Sequence, residues 1–341
     1  MKKRVLIVGG VAGGASAAAR IRRLDEMAEI IMFERGEHVS FSNCCLPYHL
    51  SKTVENSNAL VLMTPQRFLK QYAIEARVKS EVTAIHPAKK TVTVKNLQTG
   101  ETYTESYDQL VLAPGANPVM PKSIAGIGQK HVFSVRNVTD IRALKLYIDV
   151  NQIKKAAVIG GGFIGVEVAE NLKMAGLSVS LVEGTDQIMM PFDYDMVQIL
   201  HKEMMDNGIS LYLSSMLTEI NEHSIQIKRQ DKAETVDADV VVMAIGVIPE
   251  TLLAREAGLA IGETGGILVN KNYQTSDPDI YAVGDAVESF NRMLHRPGRL
   301  ALAGPAQKQA RGAADHMYGG AAANKGFIGS SRIRIFGQNA A

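Results

Sequence analysis

The sequence predicts an α/β fold of two Rossmann-like, three-layer halves, on three observations. An apolar strand, a glycine-rich turn, a helix and a strand ending in an acid follow one another at residues 4–34. The same order recurs at residues 155–183. Each half then has a further apolar strand ending in a glycine turn, at residues 110–115 and 239–246. Short, wholly apolar strands alternating with helices belong to a parallel sheet covered on both faces.

Composition fits this reading. The chain has 341 residues, 46% apolar and 21% charged, which excludes a disordered chain and suggests two or three domains. Its net charge of +2 argues against a nucleic-acid-binding surface as the main function. The opening Met1-Lys2-Lys3-Arg4 and the apolar residues after it have the look of a signal peptide. Glycines interrupt that stretch and an amphipathic helix follows, so it is read as a strand entering a loop. No apolar run reaches the roughly 18 residues of a membrane span. The two cysteines, Cys44 and Cys45, are adjacent and cannot form a disulfide framework. Such sparing use of cysteine fits a reducing, cytoplasmic setting, where a thiol is kept for its reactivity.

Taken in order, residues 4–8 are a buried strand, and Gly9-Gly10-Val11-Ala12-Gly13-Gly14 is the first glycine loop. An alanine-rich helix runs to about Leu24, and residues 29–34 form the strand that ends in Glu34, with Arg35 next to it. The glycines allow backbone N–H groups to approach a pyrophosphate lying on the positive end of the helix. Glu34 is placed to bind ribose hydroxyls. Val11 replaces the middle glycine of G-x-G-x-x-G, which lowers the specificity of this motif taken alone. Residues 36–75 are less regular, and a short helix is expected to begin near Cys45 with Pro47 in its first turn. Strands follow at 77–85 and 91–95, with a further hairpin arm around Thr99-Gly100-Glu101. The strand at 107–112 leads into Ala113-Pro114-Gly115, a turn that either closes against a cofactor or only redirects the chain.

The second motif is complete. Strand 155–159 leads into Gly160-Gly161-Gly162-Phe163-Ile164-Gly165, a helix through Met174, and a strand 178–183 ending in Glu183. An acid there favours NADH over NADPH without deciding it, since a 2′-phosphate is repelled. Gly246 closes the strand at 239–245. Two dinucleotide motifs imply two dinucleotides, most economically FAD at the first and NADH or NADPH at the second. Near the end, residues 277–286 deliver Gly284 and Asp285 at a turn, where the carboxylate can hold a ribityl chain. Leu302-Ala303-Gly304-Pro305-Ala306-Gln307 opens a helix to about Met317, which can set its positive end toward a reduced flavin ring.

The two motifs, the run from Thr275-Ser276 to Asp285, and Ser40-Phe41-x-Asn43-Cys44-x-Leu46-Pro47-Tyr48 resemble the FAD-dependent pyridine nucleotide–disulfide oxidoreductases. Within that family the cysteine segment is similar to the branch of coenzyme A-disulfide and polysulfide reductases. The resemblance implies an FAD domain in two segments, 1–116 and 247–322, with an NAD(P)H domain inserted at 117–246. It also implies hydride transfer from NAD(P)H to FAD, then electrons to the single sulfur of Cys44, flanked by Asn43. That sulfur rests as a mixed disulfide with coenzyme A or as a sulfenic acid. A position just before a helix N-terminus favours its thiolate. The coenzyme A contacts of the family map onto Ser16, Arg20, Arg23, Ser40 and Asn43, although Arg20 and Arg23 equally suit a solvated helix face. Phe163 matches an aromatic gate over the flavin and equally a helix-packing residue. The implied partners are small: a disulfide, coenzyme A or polysulfide, with no nucleic acid and no membrane.

Two features depart from the family pattern. Cys45 stands where a small residue is usual, and no C-x-x-x-x-C is present for a dithiol relay. Residues 323–341 read as a stub of the C-terminal dimerisation domain, so the family's homodimer and full turnover are in doubt here. Three other readings compete. An NADH oxidase or peroxidase is one, although Ala12 stands where related peroxidases carry histidine. A flavoprotein that binds both nucleotides without turnover is another. A zinc site using Cys45, His49, Cys44 and His38 lacks a C-x-x-C pair, so no metal is expected.

Overall fold

A computed structural model describes residues 2–321 and 324–340. It divides into two compact units. The first takes the residues up to Phe41, Val61–Asn117 and Pro249–Gly329, and the second takes Ser42–Leu60, Pro118–Ile248 and the residues from Ser330 on. The sequence reading kept 1–116 in one piece, whereas residues 42–60, with both cysteines, group with the second unit. The expected limit between residues 322 and 323 lies outside the described residues.

In the first unit five parallel strands lie in the order Ile280–Ala282, Gln109–Leu112, Arg4–Val8, Glu29–Phe33, Ile74–Arg77. Alternation of side chains sends Val5 and Ile7 to one face and Leu6 and Val8 to the other. On the first face lie the Ala12–Leu24 and Ala303–Met317 helices. Their contact is lined by Ala17, Ala18, Ala310, Ala313 and Ala314, small side chains that let two helix backbones approach. The second face is covered by an antiparallel sheet of Ser80–His86, Thr91–Asn96 and Thr102–Ser106, through Val82, Ile85, Val92 and Val94. Burying each such valine or isoleucine stabilises the layer by about 1.5–3 kcal/mol.

The second unit repeats the plan. Its parallel order is Ile209–Tyr212, Ser178–Val182, Lys155–Ile159, Val240–Met243, Val132–Phe133. An antiparallel sheet of Ser215–Ile220, Ser224–Arg229 and Lys232–Asp237 covers Ala157, Ile159 and Val241 with Leu217, Ile225, Ile227 and Val236. The Phe163–Met174 helix packs on the Lys155–Ile159 and Ser178–Val182 strands, and Tyr194–Asp206 on Ile209–Tyr212. Both halves tie their first loop in the same way. Gly9 N–H donates to Phe33 O at 2.8 Å, and Gly160 N–H donates to Val182 O at 2.8 Å. Ala113 N–H reaches Val8 O at 2.8 Å, and Ala244 N–H reaches Ile159 O at 2.7 Å.

One local expectation, a short helix near Cys45 with Pro47 in its first turn, is met only as 3-10 helix. No α-helix begins at Cys45; residues Asn43–Cys45 and Pro47–His49 are two 3-10 turns. Pro47 has no N–H, so the ladder needed to convert these turns into an α-helix is broken at its centre. The bonds made span three residues: Leu46 N–H to Asn43 O at 3.2 Å and Leu50 N–H to Pro47 O at 2.9 Å. Among the described residues, no helix is long and apolar enough to cross a membrane.

Candidate active site

The first glycine loop is shaped by close backbone approach. Gly9 has φ +95°, and a Cβ there would lie 2.0 Å from Ala113 O. A Cβ on Gly14 would lie 1.8 Å from Gly9 O, so helix and loop meet only because both residues are glycine. Gly13 faces Val283, where an added Cβ would come within 3.1 Å. Glu34 lies under this loop: it accepts Gly10 N–H at 2.9 Å and Gly36 N–H at 2.8 Å. A carboxylate has about four acceptor positions, so capacity remains for ribose hydroxyls. The helix starting at Ala12 has no side-chain cap at Val11, and its first N–H groups are therefore donors for an anion.

Elsewhere in this unit, Gly115 is open, with nothing within 4 Å of an added Cβ, beyond the Ala113-Pro114 turn. Gly284, at φ +85°, donates its N–H to Gln309 Oε1 at 2.7 Å and turns the chain into Asp285. Asp285 is half-buried, and burial raises its pKa. Among the described residues no hydrogen-bond donor serves its carboxylate, a costly state unless a ligand supplies hydroxyls. The Ala303–Met317 helix is uncapped at Leu302, and Ala303 is exposed. The cradle, the uncapped helix starts and the unpartnered Asp285 together fit a dinucleotide carrying a polyhydroxyl chain. Arg35 is tied within the unit to Asn117 Oδ1 at 3.0 Å and to Glu250 at 3.6 Å. Of the residues mapped to coenzyme A, Arg20 pairs with Asp315 at 2.7 Å, Arg23 is exposed, Ser16 is half-buried and Ser40 has φ +47°.

The second loop has the same construction. Gly160 has φ +108° with Ala244 O 2.4 Å from an added Cβ, and Gly165 would place a Cβ 1.9 Å from Gly160 O. Gly162 opens the helix without a side-chain cap, and nothing lies within 4 Å of its Cβ position. Glu183 accepts Gly161 N–H at 2.6 Å with one oxygen and the Thr185 N–H and hydroxyl, each at 2.8 Å, with the other. Phe163 is half-buried against Phe192, ring centroids 6.4 Å apart; Ile164 and Gly246 are exposed. Packing therefore occupies one side of the Phe163 ring.

The cysteines sit in this same unit. Asn43 and Cys44 are exposed and Cys45 is half-buried, all on the first 3-10 turn. Leu46, Leu50 and Leu60 anchor the segment, each at most 2% exposed. Neither thiol is in a disulfide. The helix dipole expected to favour the Cys44 thiolate is not available, because a three-residue turn has no macrodipole of consequence. His49 holds the segment's bend through Nδ1 and Val54 O, 2.9 Å apart.

A polar group that the sequence reading missed clamps the segment to the helix of the second motif. Ser51 donates to Asn171 Oδ1 at 2.6 Å, and Asn171, fully buried, donates to Glu167 O at 2.8 Å. Glu170 accepts Phe336 N–H at 2.6 Å, and Arg334 adds positive charge beside it. Tyr48 faces Glu167, Glu170 and Cys45; burial and then these negative groups raise its pKa. Burial first, then Glu170, pushes the Glu167 carboxyl up to about 7, against a hydrogen bond from Tyr48. Only the spacing of Glu167, Glu170 and Asn171 on one helix face signals this cluster in the sequence.

The sign of that shift makes a prediction. The folded chain holds the Glu167 proton over a range where the unfolded chain has released it, so stability falls as pH rises from 4.5 to about 7. The loss from this group is about 3 kcal/mol. Glu167→Gln is expected to unfold at a higher temperature than the parent at about pH 8, with the advantage gone near pH 5. An equal difference at both pH values would contradict the assignment.

A family model described as pyridine nucleotide-disulphide oxidoreductase matches residues 3–310. The coenzyme A disulfide reductase of Staphylococcus haemolyticus (strain JCSC1435) is 33% identical over 335 residues, 98% of this chain and 74% of that protein. Among solved structures, reduced CoADR-RHD of Bacillus anthracis aligns at TM-score 0.95 with 43% identity, over 98% of this chain. The NAD-dependent persulfide reductase of A. fulgidus aligns at 0.93 with 32% identity, again over 98% of this chain. The chain spans 60% and 62% of those two solved chains.

Proposed function

The chain belongs to the pyridine nucleotide-disulphide oxidoreductase family, and on that premise we propose that it is an NAD(P)H-dependent flavoprotein reductase of small disulfides or polysulfides, working through the sulfur of Cys44. The observation that carries this reading is an exposed cysteine on a turn fixed to the helix of the second glycine loop, in a chain with two such loops. Bound FAD supplies two-electron transfer between the pyridine nucleotide and sulfur.

The residues divide the work. Gly9, Gly10, Gly13 and Gly14 hold a pyrophosphate on the Ala12–Leu24 helix, Glu34 takes ribose hydroxyls and Asp285 takes the ribityl chain. Gly160, Gly162 and Gly165 hold the second pyrophosphate. Glu183 takes the adenosine ribose and favours NADH, with Asp186 three residues on adding negative charge against a 2′-phosphate. Cys44 acts as a thiolate. Its sulfur attacks one sulfur of the substrate, a Cys44–S bond forms, the substrate S–S bond breaks, and the departing thiolate takes a proton from solvent. Exposure of Cys44 gives a bulky disulfide access. Cys45 is half-buried whereas Cys44 is exposed, so Cys44 is the more accessible sulfur of the pair.

Coenzyme A disulfide and polysulfide are expected to drive NADH consumption faster than peroxide or oxygen does, at equal acceptor concentration in a steady-state assay. Peroxide as the better acceptor would sink the disulfide reading and favour a peroxidase.

A further inference from the structure

Residues 184–189 follow Glu183 and run past the second glycine loop. Two contacts seat them there. Met189 N–H donates to Gly161 O at 2.8 Å, and the Ile188 side chain fills the space beside Gly161, 2.8 Å from where a Cβ would lie. Met189 has φ +51°, a left-handed conformation that costs a side-chain-bearing residue about 1 kcal/mol or more, so the seat is held against strain.

The tie on the other side is a buried histidine. His201, in the Tyr194–Asp206 helix, is 4% exposed. Its Nε2 accepts the Ile188 N–H at 3.1 Å, and its Nδ1 lies 3.2 Å from Gln198 Oε1. A backbone N–H has only a proton to give, so Nε2 is the bare nitrogen and Nδ1 carries the hydrogen that Gln198 accepts. The ring in this position is neutral. Protonating Nε2 would set two N–H groups against each other inside the unit and push Ile188 away from the glycine loop. Burial lowers the His201 pKa, while Asp186, on the loop itself, opposes that with its negative charge. Among the described residues Asp186 is the charged group that acts on the ring; Gln198 is neutral.

We propose that His201 is a positioning residue for the pyridine nucleotide: its bare Nε2 seats residues 184–189 on the second glycine loop, and acid releases them. This rests on the reading that the second loop binds NAD(P)H. The histidine touches no reacting atom and acts through Ile188 and Met189, which border the loop that receives the pyrophosphate and the acid that receives the ribose.

The test measures NADH affinity in the FAD-loaded protein, from the NADH concentration dependence of flavin bleaching, between about pH 7.5 and about pH 5. The parent is expected to lose affinity toward acid pH. His201→Gln places an amide oxygen near the Nε2 position and cannot titrate; it is expected to bind NADH within about twofold of the parent at pH 7.5 and to stay flat toward acid. His201→Leu leaves the Ile188 N–H without a partner and is expected to bind roughly tenfold more weakly at every pH. A merely structural histidine would alter the melting temperature and leave these profiles parallel. Parallel pH profiles of the parent and His201→Gln would overturn the proposal, including where His201→Leu fails to fold. A parent that binds no NADH would overturn the reading of the second loop as well, which separates the two failures.

Discussion

Cys44→Ser is expected to abolish reduction of coenzyme A disulfide and polysulfide, by at least about a thousandfold, while NADH still bleaches the flavin at the parent rate. A serine hydroxyl cannot become the nucleophile or accept the substrate sulfur, and the backbone approaches that shape the two glycine loops are made by other residues. The neighbouring thiol does not substitute, because Cys45 is half-buried beside Tyr48 whereas Cys44 is exposed. Cys45→Ser is accordingly expected to retain turnover. Stopped-flow absorbance separates the two half-reactions. Loss of both in a Cys44→Ser protein that still carries FAD would remove Cys44 from the role given to it, and so would retention of both.

The second large effect comes from two glycines chosen as counterparts. In Gly14→Ala the new Cβ meets Gly9 O at 1.8 Å, and in Gly165→Ala it meets Gly160 O at 1.9 Å. The obstacle is backbone in each case, so no rotamer relieves it and the loop must move off its helix. Each change is expected to cost about 3 kcal/mol of cofactor binding, roughly a hundredfold in affinity. Gly14→Ala should purify with little flavin. Gly165→Ala should purify yellow and resist reduction by NADH. Absorbance at purification and an NADH titration check this, and the reverse pattern would exchange the cofactors between the loops.

Much of this was legible in the chain. The strands at 4–8 and 155–159 are apolar after their first, basic residue, a glycine loop follows each, and Glu34 and Glu183 end the next strands. Short-range periodicity sets all of these, but it does not show that the expected strand 77–85 is two strands, Ile74–Arg77 and Ser80–His86, nor the Pro65–Tyr72 helix within 36–75. The helix limits 163–174 and 303–317 follow from a glycine or apolar start and a clear stop. The kind of helix at the cysteines is not legible in the sequence, because proline is compatible with both an α-helix start and a pair of 3-10 turns. What decides is the missing N–H of Pro47 at the centre of the segment, which Lys52 then closes at φ +63°. The placement of 42–60 with the second unit was not legible. It depends on Ser51 meeting Asn171 and on Arg142 meeting Ser57 at 2.8 Å, contacts between residues far apart in sequence. The raised Glu167 pKa was hidden for the same reason, since burial comes from packing and not from its neighbours in the chain.

Peptide mass spectrometry of the FAD-loaded protein mixed with coenzyme A disulfide, before and after NADH, tests the central claim most directly. The expected result is one coenzyme A on the peptide holding both cysteines, located by fragmentation at Cys44, and its release when NADH is added. An adduct located at Cys45, or no adduct in a protein whose flavin NADH bleaches, would contradict it.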